Sequence, residues 1–129
     1  MSDPLKKYIQ QWINKAEEDL LVINQLLTMD ILPKTAIGFH CQQSAEKFLK
    51  AFLVFHYVDF PKTHNIEFLI EQCVKVDPDF NDIESGNLTD YGVEIRYPGD
   101  FLEPTLSEIE TLFHLVELIK ELVLKKIQL

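Results

Sequence analysis

Apolar residues recur at three- and four-residue intervals along most of the chain, the spacing of helices with one buried face. Leu5, Ile9, Trp12, Ala16, Leu20, Ile23 and Leu27 step along one such face. Lys7, Asn14, Glu18 and Gln25 occupy the opposite one. The pattern predicts a first helix running to about Thr28, with Asp3 as cap and Pro4 in the first turn. A short connection, Met29 to Pro33, leads to a second helix ending near Tyr57.

That second helix carries the densest pattern. Ile37, Cys41, Ser44, Phe48, Ala51, Phe52 and Phe55 share a face, and Leu49 and Leu53 widen it. The helix is expected to be buried around most of its circumference. A narrow polar stripe remains: His40, Gln43, Lys47 and Lys50, with Gln42 and Glu46 beside it. Polar groups on a buried helix need partners, so the stripe is either solvated or faces a site.

Pro61 marks a turn, and Thr63 is a possible cap for a third helix, Asn65 to Val76, with Ile66, Leu69, Ile70, Cys73 and Val74 apolar. Pro78 breaks the pattern. A helical turn and a loop are expected through the acidic stretch Asp79 to Asn87. Leu88 to Tyr97 reads as a short helix, stopped by Pro98, Gly99 and Asp100. The last helix runs from Pro104 to about Ile127, its stripe formed by Leu106, Ile109, Leu112, Phe113, Val116, Ile119, Leu122 and Val123. Lys120, Lys125 and Lys126 suit its C-terminal dipole. No stretch reads as a strand pair and no internal repeat is visible. The expected fold is all-α: one domain, residues 1–129, an up-and-down four-helix bundle with an additional short helix.

Composition narrows the function. The chain has 129 residues and a net charge of -9, which argues against binding long nucleic acid through a basic surface but not against a local basic pocket. Cys41 and Cys73 both sit on apolar helical patterns and read as reduced core thiols. No signal pattern and no membrane-length apolar run appears, so a soluble cytoplasmic protein without membrane contact is expected.

Candidate chemistry is sparse. Arg96 is the only arginine, between Tyr91 and Tyr97. Its planar fork of donors suits phosphate or carboxylate better than lysine does, although an ion pair with Glu94, Asp100 or another helix is the plainer use. The tyrosines would either stack on a base or serve the core. His64 stands at the start of the third helix beside Lys62 and Thr63, where it would cap the helix or meet an anion. His40, His56 and His114 show no metal-ligand spacing, no CxxC or phosphate-binding glycine loop occurs, and Ser44 has no neighbouring base. No metal site, catalytic residue or resident cofactor is expected.

The segments AEEDL, CQQSAEKFLKAFL, KTHNI and YGVEIRYP, in that order and followed by a long final helix, resemble a HEPN domain. The resemblance implies a helical bundle that forms homodimers and has a cleft between the second helix and the RYP segment. It also implies that ATP or another nucleotide is the ligand. The protein partner would be a minimal nucleotidyltransferase, encoded beside it in a two-gene toxin–antitoxin-like system. The matching positions are Gln43, Glu46, Lys47, Lys50, His64, Tyr91, Arg96 and Tyr97. Ribonuclease members carry a histidine a few residues after the arginine. Here Arg96 is followed by YPGDFLEP, with Phe101, Leu102 and Glu103 where the histidine would stand. A non-catalytic nucleotide-binding module is therefore expected ahead of a ribonuclease toxin or a ligand-free dimeric interaction module.

Overall fold

The structure is a computed structural model that describes residues 1–92, 98–100 and 103–129. Among these, four α-helices and no strands are present: α1 (Asp3–Leu26), α2 (Lys34–Phe55), α3 (Ile66–Val76) and α4 (Leu106–Lys126). The all-α bundle expected from the hydrophobic pattern is the observed architecture.

Two caps differ from expectation. Ser2, not Asp3, caps α1: its backbone is extended and its side chain accepts from the Leu5 N–H, whereas Asp3 is already helical. Asn65, not Thr63, caps α3 by accepting from the Phe68 N–H at 2.9 Å. The Thr63 hydroxyl accepts from the Asn65 N–H instead and so sets the approach to the cap. At α4, Thr105 and Glu108 form a reciprocal capping box. The expected short helix from Leu88 narrows to a 3-10 turn, Leu88–Tyr91, with Gly92 as its C-cap, and residues 93–97 lie outside the described residues. The acidic stretch contains a second 3-10 turn, Pro78–Asp82, which exposes its aspartates and buries Phe80.

The core forms around α2, on which α1, α3, α4 and the Leu88–Tyr91 turn all pack. Thirteen of its 22 residues are buried. Phe48, Leu49, Phe52 and Leu53 are fully inaccessible and meet residues such as Ile9, Ile23, Ile66, Leu69, Phe80, Val116 and Ile119. Each such side chain contributes on the order of 2 kcal/mol through burial. Cys41 and Cys73 are free thiols within this core, and burial pushes both up to about 12, leaving them protonated and inert.

Pairings across the bundle give its directions. Ala16 meets Ser44, Asp19 meets His40, and Trp12 lies by Lys50, so α1 and α2 are antiparallel. At the end of α2 the chain turns at Tyr57, whose φ of 61° is the left-handed geometry that releases a helix. The connection then runs back along α2, with Phe60 beside Lys50 and His64 beside Glu46. Consequently α3 begins near Gln42 and proceeds in the same sense as α2, Cys73 reaching the Leu49 carbonyl.

Candidate functional site

The polar stripe of α2 divides into two clusters. The first ties α1 to α2. The Asp19 carboxylate meets His40 Nδ1 at 2.9 Å and accepts from Lys47 Nζ at 2.7 Å. Asp19 stands three residues after Ala16 and four before Ile23, on the buried side of α1, where a carboxylate needs such partners. Sequence reasoning missed Asp19, and that spacing is the signal that could have found it.

The second cluster centres on Glu46, whose side chain is 5% exposed. One carboxylate oxygen, Oε2, accepts from Lys50 Nζ at 3.0 Å. The other, Oε1, accepts from Gln42 Nε2 at 3.1 Å and meets His64 Nδ1 at 2.7 Å. Lys50 is itself 8% exposed at the side chain, and its ammonium lies 5.5 Å from the Trp12 ring centre and 5.6 Å from that of Phe60. Ion pair and aromatic faces together offset the desolvation of a buried cation. Gln42, fully buried, also donates to the His64 carbonyl at 2.9 Å and accepts from Gln43 Nε2 at 2.7 Å.

Gly92 lies directly against this cluster. A Cβ at that position would stand 2.4 to 2.8 Å from the Gln42 amide atoms. The absence of a side chain lets the backbone at Gly92, next to Tyr91, lie on α2. Gly38 plays a similar part under Tyr91, since a Cβ there would be 2.9 Å from the ring. Tyr91 is 4% exposed, and its hydroxyl accepts from Asn87 at 3.2 Å. Burial, with the nearby Glu108 charge, pushes its phenol upward, so it stays protonated.

The structure thus brings Gln43, Glu46, Lys50 and His64 into one network and places Tyr91 in the adjoining wall. Lys47 belongs to the Asp19 cluster. Arg96 and Tyr97 lie outside the described residues. Sequence reasoning missed Gln42 and Gly92 as parts of the network. Gln42 reads as a neighbour of the stripe, and only the returning chain shows what its amide joins.

His64 is 55% exposed while its Nδ1 is tied inward. The arrangement is a buried carboxylate holding an outward-facing imidazole, at the surface of an all-helical bundle. Residues 9–127 match the family model described as HEPN domain, and the chain belongs to that family. No curated protein and no solved structure matches it. Among the described residues, no helix is long and apolar enough to cross a membrane.

Proposed function

We propose that the chain is a nucleotide-binding helical module, the non-catalytic partner of a minimal nucleotidyltransferase. The observation that carries this reading is the seating of Gly92 on Gln42. It seats the chain as far as Gly92 on the Glu46 network of α2, which reaches the surface at His64, and Arg96 follows four positions on in the sequence. In this reading Arg96 supplies the phosphate fork and Tyr97 the stacking ring. Tyr91 lines the wall, and Lys47, whose ammonium is paired with Asp19, serves by holding that carboxylate. Lys50 serves by holding Glu46, since its ammonium is already paired. The same reading takes the module as a homodimer and assigns it to a two-gene system with its nucleotidyltransferase.

Calorimetric titration with ATP, with and without magnesium, tests the binding step. Saturable heat that Arg96→Ala loses, with helicity unchanged, is the expected result. Equal affinity in the variant would remove Arg96 from the site, and no heat from the wild-type chain would remove the reading as it applies to the isolated module.

A further inference from the structure

The hydrogen bonds around Glu46 determine the direction of every donor in the network. A carboxylate paired with an ammonium accepts and does not donate. His64 must therefore carry its hydrogen on Nδ1 where it meets Oε1 at 2.7 Å, and in the neutral ring Nε2 is left as a lone-pair acceptor. Gln42 Nε2 faces two acceptors, Glu46 Oε1 and the His64 carbonyl, which commits both of its hydrogens and turns its Oε1 the other way. Gln43 meets that oxygen with its own Nε2, so the Gln43 Oε1 is left over as a second acceptor. Among the described residues, neither His64 Nε2 nor Gln43 Oε1 has a hydrogen-bond partner, and neither residue is buried.

The Gln42 amide and the His64 Nδ1–H are thus spent on Glu46 and the His64 carbonyl, and the side facing solvent carries two acceptors beside a single Gln43 N–H. Phosphate oxygens, which only accept, find there no donor but the second Gln43 N–H while the His64 ring is neutral. A ligand suited to it brings donors. Within a nucleotide these are the sugar hydroxyls, the exocyclic amino groups of some bases and the ring N–H of uracil and guanine. The hydroxyls are common to all ribonucleotides, and an exposed imidazole nitrogen that a buried carboxylate holds in a single tautomer is a good acceptor for an O–H.

We infer that His64 Nε2 and Gln43 Oε1 form the ribose-recognition subsite of the module, accepting hydrogen bonds from the sugar hydroxyls, with Glu46 and Gln42 as positioning residues. This rests on the nucleotide-binding reading and adds a sugar preference to it.

The test titrates the full chain with ATP, UTP and 2′,3′-dideoxy-ATP. UTP keeps the ribose and lacks an exocyclic amine, while the dideoxy analogue keeps the amine and lacks both hydroxyls. The expected result is that ATP and UTP each bind about tenfold more tightly than the dideoxy analogue, the effect of one or two neutral hydrogen bonds. His64→Phe, at an exposed position, should fold normally by circular dichroism and bring both ribonucleotides to the dideoxy level. Gln43→Leu should act in the same direction. Equal affinity for ATP and dideoxy-ATP in the wild-type chain overturns the inference and leaves nucleotide binding standing. A preference for ATP over UTP with no effect of the sugar also overturns it, in favour of base readout. No heat with any of the three overturns the inference together with the reading beneath it.

Discussion

Glu46 joins three side chains that are distant from one another in function but not in space: an ammonium, an amide and an imidazole. Its loss would leave Lys50 buried between two aromatic rings without a counter-charge. Glu46→Ala should lower the free energy of unfolding in urea by about 3 kcal/mol, the range for breaking a buried ion pair from one side. The double replacement Glu46→Leu with Lys50→Met should recover most of that loss, because both charges go together. A double variant no more stable than the single one would mean that the hydrogen bonds from Gln42 and His64, not the ion pair, supply the stabilisation. Much of this centre was visible at the residue scale, since Gln43, Glu46, Lys50 and His64 all stand out as polar groups near an apolar pattern. Their partners were not, because an amide or imidazole has several equivalent uses until its neighbours are known.

At the scale of elements, helix ends and their charges decide how stability follows pH. Glu108 is held below the usual carboxylate range by hydrogen bonds from the Thr105 backbone and hydroxyl in the capping box of α4. Asp77, the C-cap of α3, is lowered chiefly by its hydrogen bond to Lys126, with the Asp79 N–H adding to it. Both groups bind a proton less readily in the folded chain than in the unfolded one. Their contribution is complete above the ordinary carboxylate value of about 4 and is lost as pH falls through the depressed values. Lys126 is raised by the same pairing, so its share is complete below its ordinary value and lost only as pH rises through the raised one. Urea midpoints should therefore begin to fall as pH drops below about 4, the ordinary carboxylate value, and continue to fall through the depressed values. Asp77→Asn with Glu108→Gln should flatten that acid limb, and an unchanged limb would place the linkage elsewhere. The existence of α1, α2, α3 and α4 was legible from periodicity, while the caps were less so. Ser2 and Asp3, or Thr63 and Asn65, are all competent acceptors, and only the backbone angles choose between them.

Across the whole molecule, the net charge of -9 opposes the approach of a polyanion even where a local pocket favours a single phosphate. Long RNA incubated with the purified chain, without metal, should remain unbound in a gel at moderate salt and should remain intact. A ladder of cleavage products lost on His64→Phe would overturn this expectation and recast the Glu46–His64 pair as a carboxylate-supported base. The route of the chain matters more than its charge in forming the site. The connection after Tyr57 returns along α2 and so places His64 against Glu46, eighteen positions earlier.

The sequence by itself determined the helices, their buried faces and the fact that α2 carries polar groups it must satisfy. These follow from local rules, because a helix repeats every few residues and its apolar stripe is written in consecutive turns. Tertiary structure alone decided that the stripe splits between Asp19 and Glu46, that Gln42 faces two acceptors, and that Gly92 admits a backbone onto its amide. Those outcomes depend on the path of a connection with no regular pattern. Hydrogen bonds between residues about twenty positions apart are chosen by whichever chain returns to satisfy a buried group, and that choice is made only when the core closes.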